Sequence, residues 1–113
     1  MNNLGDPEMI TALFDLKGQL PEAVKKMRQY GIDMAKASSN YRAAKATRIR
    51  ELKAQGLPAT LILDLAQGDC SKQQYERDMT EVIYDTQKEY INSIKTEIRV
   101  LEGQIEREWG AVK

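Results

Sequence analysis

The amino-acid sequence predicts an all-α protein built around two long helices that pair as an antiparallel hairpin. Glycine and proline punctuate the chain at Asp6-Pro7, Gly18 to Pro21, Gly56-Leu57-Pro58 and Gly68-Asp69, which act as helix start and stop signals and leave little room for strands. Between these signals, apolar residues recur at alternating steps of three and four, the pattern of helices packed as a coiled coil. With 113 residues, 42% apolar and 30% charged, the chain has the composition of one folded domain, residues 1–113.

A short N-terminal helix is predicted over residues 7–17. Pro7 suits the first helical position, where its missing N–H would have no helical partner. Gly18 suits the residue after the last turn. We expect this short helix to pack as a lid.

The first long helix is predicted over residues 21–55, from Pro21 to a stop at Gly56. Gly31 costs about 1 kcal/mol of helix propensity relative to alanine, so we expect a bend or a close contact there. The polar cluster at residues 38–40 is a second weak point, and a break is plausible at either place. The stripe on this helix consists of Met27, Tyr30, Met34, Ala37, Tyr41 and Ala44.

A short apolar helix is predicted over residues 58–67, between Pro58 and Gly68. Nearly half of it is bulky and aliphatic, which is too apolar for a free loop. We therefore expect a buried helix that caps the joint between the two long helices. The residues concerned are Leu61, Ile62, Leu63 and Leu65.

The second long helix, over residues 71–109, has the clearest stripe. Its members are Tyr75, Met79, Val82, Ile83, Tyr90, Ile91, Ile94, Ile98, Leu101, Ile105 and Trp109. Together the stripes exceed what one hairpin can bury, so we expect self-association, most simply as a homodimer with two-fold symmetry. The predicted interface consists of Ile91, Ile94, Ile98, Leu101, Ile105 and Trp109.

Charge is unevenly distributed although the net charge is zero. From Leu20 to Gly56 there are nine Lys or Arg against three Asp or Glu, and from Leu57 to Lys113 seven against eleven. This asymmetry favours pairing of the two arms. It also supports an alternative, binding of nucleic-acid phosphates along the basic helix, although these cations wind around it and only Tyr41 is interleaved. The candidate residues are Arg42, Lys45, Arg48, Arg50 and Lys53.

The residues that catalysis usually needs are missing. The chain has no histidine, the commonest general base and metal ligand, and no glycine-rich phosphate loop. The carboxylates that share neighbouring turns are expected to form a solvated face, and Cys70 to be an ordinary surface or half-buried thiol rather than a reactive one. These carboxylates are Asp78, Glu81 and Asp85, and Glu102 with Glu106. The sequence predicts a non-enzymatic interaction protein without cofactor or metal.

The cellular setting predicted from sequence is the cytoplasm. No run of about 18 apolar residues is present, and the first seven residues lack the basic and apolar regions of a signal peptide. A single cysteine allows no internal disulfide, which fits a reducing compartment. We expect no membrane contact.

The region from Tyr41 to Gly110 contains RELKAQGLPATLILDLAQGD and YERDMTEVIYDTQKEYINSIKTEIRVLEGQIEREWG. It resembles small helical proteins encoded by phages and prophages of Gram-positive bacteria. The features that carry the resemblance are Gly56-Leu57-Pro58, Asp64-Leu65-Ala66, Gly68-Asp69 and the run from Ile94 to Trp109. The resemblance implies a phage-encoded accessory protein in the bacterial cytoplasm, acting on a phage or host protein or beside replication and recombination proteins.

Overall fold

A computed structural model describes the backbone of residues 6–112 and the side chains of residues 7–110. It contains three helices, α1 (Asp6–Ala54), α2 (Ala59–Asp69) and α3 (Ser71–Val112). No strand is present between residues 6 and 112, so the all-α prediction is confirmed.

By their internal contacts the residues group into two compact units. Unit 1 comprises the chain up to Met27 together with the chain from Thr86 onward, and unit 2 comprises Arg28–Asp85. Both units contain parts of α1 and α3, whereas α2 belongs to unit 2 alone. The prediction of one domain stays a prediction.

The predicted boundary between residues 17 and 21 is wrong, because α1 continues through it with Pro21 inside the helix. A proline in a helix interior removes one backbone hydrogen bond and costs about 3 kcal/mol. The short N-terminal helix over residues 7–17 and the long helix over residues 21–55 are therefore one element. The structure also carries α1 unbroken through Gly31 and residues 38–40.

Contacts with α3 on both sides of Pro21 explain why the helix persists in unit 1. Before the proline, Tyr90 Oη donates a hydrogen bond of 2.9 Å to Gln19 Oε1. After it, Gln87 Nε2 donates a hydrogen bond of 3.0 Å to the carbonyl oxygen of Ala23, which is a buried residue. These contacts align both segments with α3, and the order of the partners along the two helices is antiparallel.

The end of α1 follows from Gly56, as predicted. Gly56 has a φ of 78°, a left-handed conformation that glycine adopts without steric cost. Its N–H donates to the carbonyl oxygen of Lys53 at 3.0 Å, and the N–H of Leu57 donates to that of Leu52 at 3.4 Å. This pair of bonds is the Schellman motif, and Leu57 packs on the cluster that contains Leu52, a contact that often accompanies the motif.

The break between α2 and α3 falls on one residue, Cys70, and not at Gly68 as predicted. Gly68 lies within α2, and the N–H of Cys70 bonds to the carbonyl oxygens of Ala66 at 3.1 Å and Gln67 at 3.3 Å. The carbonyl of Cys70 in turn accepts the N–H of Gln74 at 3.0 Å, which starts α3. Because Cys70 is also buried, the bend is held by packing, and no glycine is needed.

Each unit has its own small core. In unit 2 the residues Leu52, Ile62 and Ala66 form a buried cluster, with Ile49 and Leu57 packed against it. In unit 1 the buried residues are Ala23, Ile91, Ile94 and Ile98. Much of the apolar sequence remains outside these cores, and its position defines the candidate surfaces.

Candidate interaction surfaces

The isoleucines predicted to carry a self-association interface lie inside unit 1. Ile91, Ile94 and Ile98 are buried by the chain itself. Steps of four, three and four residues place them on the same face of α3 as Gln87. Gln87 donates a hydrogen bond to the carbonyl oxygen of Ala23, so this face points to α1 in unit 1. The structure places these three residues in the core of unit 1, which leaves them no exposed surface for a second chain.

The other three predicted interface residues are more open. Leu101 and Ile105 are half-buried, and Trp109 is exposed. Leu101 lines a groove of about 470 Å³ in unit 1, together with Ala12 and Leu16 of α1. The lining is mainly apolar and also includes the carboxylates of Asp15 and Glu97.

In unit 2 the apolar face of α3 points to solvent. Tyr75 is 66% exposed and Val82 57% exposed, and Met79 and Ile83 are exposed as well. We call these four residues the outer face of α3. Two of them, Tyr75 and Met79, border a groove of about 390 Å³ against Ala37 and Asn40 of α1. Large exposed apolar faces are typical of interaction sites in soluble proteins, which makes the outer face of α3 a candidate surface.

The single stripe predicted along α3 is therefore two stripes. An α-helix turns by about 100° per residue, so Val82 lies about 180° around the helix from Ile91. If Ile91 faces α1, Val82 has to face away. The heptad pattern suggested a continuous seam because the shift takes place across the polar residues between Ile83 and Tyr90.

The face of α3 that packs on α1 in unit 2 is polar and aromatic. The guanidinium of Arg77 lies 4.6 Å from the centre of the buried Tyr41 ring, and Lys45 Nζ lies 5.8 Å from it. Both distances allow cation–π attraction. The Oε1 atom of Gln73 is buried and lacks a hydrogen-bond partner within the described residues. The two helices thus place polar groups between them while apolar groups face outwards.

The five basic residues proposed for nucleic-acid contact do not share one face. Lys45 and Arg48 are half-buried on the inner side of α1. The other three, Arg42, Arg50 and Lys53, are exposed on the outer side of α1. Arg50 Nη2 donates a hydrogen bond of 3.3 Å to Thr47 Oγ1. The structure therefore brings together three of the five, and these three have no carboxylate partner among the described residues.

Arg48 has a structural task of its own. Its Nε atom lies 2.6 Å from Asp69 Oδ2, and its Nη1 atom 3.2 Å from Glu51 Oε2. The hydrogen bond to Asp69 raises the pKa of the Arg48 guanidinium above its ordinary value. Because Asp69 ends α2, this ion pair ties α1 to α2 and makes Arg48 a poor candidate for phosphate contact.

Burial of the apolar residues of α2 is only partial. Ile62 and Ala66 are buried, whereas Leu61, Leu63 and Leu65 are exposed. A single helix packed on one side covers only one stripe, so the remaining leucines face solvent. The expectation that this helix is buried holds for one face only.

The acidic residues and the thiol form no site in the described part of the chain. No three Asp, Glu or Cys side chains lie close enough there to hold a metal ion. Asp78 is paired with Arg77 at 3.0 Å, and Cys70 is buried. None of these groups combines with a nucleophile, a base or a phosphate cradle.

Two further findings bear on function. None of the helices in the described range is long and apolar enough to cross a membrane. Comparison of the chain with protein families, with curated proteins and with solved structures finds no match.

Proposed function

We propose that this chain is a non-enzymatic accessory protein that acts by protein–protein interaction and self-association through its long amphipathic helices. One observation carries the proposal: in unit 2 the apolar face of α3 is exposed while its polar face packs on α1. A helix gains stability by burying its apolar side, so this arrangement is favoured when another helix covers Tyr75, Met79, Val82 and Ile83.

The setting and the larger architecture belong to the proposal as well. We place the protein in the cytoplasm of a Gram-positive host, encoded by a phage, on the resemblance carried by residues 41–110. The antiparallel order of contacts within each unit supports a hairpin of the two long helices joined by α2. An enzymatic role would need a base, nucleophile or metal site, and the surfaces above supply none of the three.

The test is the solution mass by light scattering, over a dilution series, of the wild-type chain and of a variant with Met79→Glu and Val82→Glu. Both residues are exposed, so the variant keeps its helices. We expect the wild type to form dimers or larger species and the variant to be monomeric. Buried charge on an interface is strongly unfavourable, which makes the loss complete rather than partial.

The matched control is Val24→Glu, which also places a charge at an exposed valine, but in unit 1. It should associate like the wild type. Circular dichroism of all three proteins checks that helix content is equal. A wild-type chain that is monomeric throughout the dilution series, or a double variant that keeps its mass, would contradict self-association through this face.

A second candidate function is nucleic-acid binding as an accessory of replication or recombination. The observation that favours it is the exposed set Arg42, Arg50 and Lys53, none of which forms an ion pair with a carboxylate within the described residues. Binding through phosphate contacts weakens steeply as salt is added. On duplex DNA the logarithm of the binding constant falls with the logarithm of the salt concentration, with a slope of about −0.9 per phosphate contact.

This candidate is tested by fluorescence anisotropy with labelled single- and double-stranded DNA at several salt concentrations. Replacing Arg42, Arg50 and Lys53 by Gln should weaken binding and reduce the salt slope, whereas Lys95→Gln with Arg99→Gln on α3 should leave both unchanged. Absence of binding at low salt would exclude this function.

A further inference from the structure

Unit 2 carries two unlike surfaces that complement one another. The first is the outer face of α3, which is apolar. Glu76 and Asp78 lie on its two sides, at about 75° to 85° around the helix from its centre, and Asp85 lies two turns further along. The carboxylates of Glu76 and Asp85 have no ion-pair partner in the part of the chain that the structure describes. The outer face of α3 is therefore an apolar strip with acidic edges.

The second surface is the side of α1 that points away from the buried Tyr41. Within Arg28–Asp85, α1 contributes seven Lys or Arg and only Asp33 and Glu51 as acids. Both acids lie on one flank of α1, about 80° around the helix from Tyr41. The side of α1 opposite Tyr41 carries no acidic residue. All members of this side are exposed, and we call them the outer face of α1: Ile32, Ala35, Ser39, Arg42, Ala43, Ala46, Arg50 and Lys53.

Most charges of these two surfaces have no ion-pair partner among the described residues, and the exception is Asp78, which pairs with Arg77 at 3.0 Å. The one ion pair between α1 and α3 in the described part of the chain, Lys17 with Glu102 at 3.2 Å, lies in unit 1. In unit 2 the basic arm pairs with the acidic arm through Arg48 and Asp69, which lie on neither surface. In a second copy of the chain, the acidic edges of the outer face of α3 find a basic surface on α1, and the basic outer face of α1 finds an acidic-edged surface on α3.

We infer that the outer face of α3 in one copy docks on the outer face of α1 in another copy. This inference rests on the proposed function and names its partner. The large side chains Tyr75, Met79 and Val82 then meet alanines, which allow close approach. Glu76, Asp78 and Asp85 meet Arg42, Arg50 and Lys53, and complementary charge fixes which helix is chosen.

Pairing of α3 with α3 of another copy is disfavoured by charge. An antiparallel pair centred between Met79 and Val82 brings Asp78 beside Asp85 of the second copy. A parallel pair brings Asp78 beside Glu76 of the second copy. Like charges at these positions oppose association, whereas α1 offers only cations at its outer edges.

The contact is heterologous, because it joins two different surfaces. Each copy in an assembly therefore has one donor face on α3 and one acceptor face on α1. Such a contact is not closed by a two-fold axis, so association continues to a ring or a chain of copies. This differs from the two-fold dimer expected from the sequence, and it makes a distinctive test possible.

The test uses two variants that each lose one face. The first carries Met79→Glu and Val82→Glu on α3, and the second carries Ala43→Glu and Ala46→Glu on α1. All four positions are exposed, and glutamate is a good helix former, so both variants should show wild-type circular dichroism. We expect each variant alone to be monomeric and their mixture to form a heterodimer with twice the monomer mass.

The mixture is decisive because the first variant retains an intact α1 face and the second an intact α3 face. Only one contact can form between them, so the assembly stops at two chains. Light scattering and native mass spectrometry report the 1:1 stoichiometry.

Three results would overturn the inference. If the variant with Ala43→Glu and Ala46→Glu associates by itself, the outer face of α1 is not the surface that α3 binds. The proposed self-association through α3 would still stand in that case. If the mixture stays monomeric while the wild type associates, the contact between α3 of one copy and α1 of another is excluded. Self-association by another route would remain. A monomeric wild type would remove both the inference and the self-association on which it rests.

Discussion

The ring of Tyr84 packs on the bare α-carbon of Gly31. A β-carbon built at position 31 would lie 3.2 Å from Cε1 and 3.6 Å from Cδ1 of Tyr84. The first distance is shorter than an ordinary van der Waals contact between carbon atoms, about 3.5 to 4.0 Å. The helix therefore carries a glycine in its interior, at a cost in propensity, where the Tyr84 side chain of α3 lies against the backbone of α1.

Two glycine substitutions in α1 test this relationship. Gly18→Ala should raise the free energy of unfolding by about 1 kcal/mol, since a β-carbon there has open space and alanine is the better helix former. Gly31→Ala should gain clearly less, because the Tyr84 ring has to move by a few tenths of an ångström. Urea unfolding followed by circular dichroism measures both values.

The same comparison in a Tyr84→Ala background separates propensity from packing. Without the ring, Gly31→Ala should recover the gain seen for Gly18→Ala. Equal gains for the two substitutions in the wild-type background would show that the close contact between Gly31 and Tyr84 has no energetic consequence.

Helix ends were predictable where the sequence signal acts locally. Gly56 stops α1 because its left-handed conformation and the bonds to Leu52 and Lys53 depend only on residues near it in sequence. Pro21 was not interpreted correctly, because its local preference is overridden by hydrogen bonds from Gln87 and Tyr90, about 65 to 70 residues away. Such distant contacts cannot be read from a local motif.

The sequence was sufficient to predict which apolar residues of α3 form the candidate surfaces, but not which side of the helix each of them occupies. The three-four pattern correctly marked the apolar residues of α3, but it did not show that Val82 and Ile91 lie on opposite sides of the helix. Accumulating about 100° per residue from Ile91 to Val82 would have shown it. Which of the two stripes meets α1 depends on packing within each unit, and no spacing rule determines that choice.

Replacement of Pro21 by alanine should stabilise the protein. The substitution restores a backbone N–H inside α1 and removes the clash of the proline ring with the preceding turn, an effect of about 3 kcal/mol. Thermal unfolding by circular dichroism should show a higher midpoint. A lower midpoint would mean that unit 1 requires the distortion that proline introduces.

Neighbouring residues of α2 should differ sharply in their response to truncation. Ile62 is 5% exposed and belongs to the core of unit 2, whereas Leu63 is 59% exposed. Ile62→Ala should lower the free energy of unfolding by about 2 to 5 kcal/mol through lost burial and a cavity. Leu63→Ala should change it by less than about 0.5 kcal/mol.

Urea denaturation of both α2 variants gives the comparison directly. If Leu63→Ala were as damaging as Ile62→Ala, the exposed leucines of α2 would have to be covered, either by another part of the chain or by a second molecule. Repeating the measurement at two protein concentrations distinguishes these cases, because only cover by a second molecule depends on concentration.

A charged residue in the predicted interface stripe should unfold unit 1 rather than separate subunits. Ile98 is 9% exposed and Val100, two residues later, is 53% exposed. Ile98→Asp buries a carboxylate in an apolar core, which costs several kcal/mol, and we expect a large loss of helix content. Val100→Asp should keep wild-type helicity. Circular dichroism and light scattering on the same samples decide the matter, since an Ile98→Asp protein that is fully helical but reduced in mass would return Ile98 to an intermolecular interface.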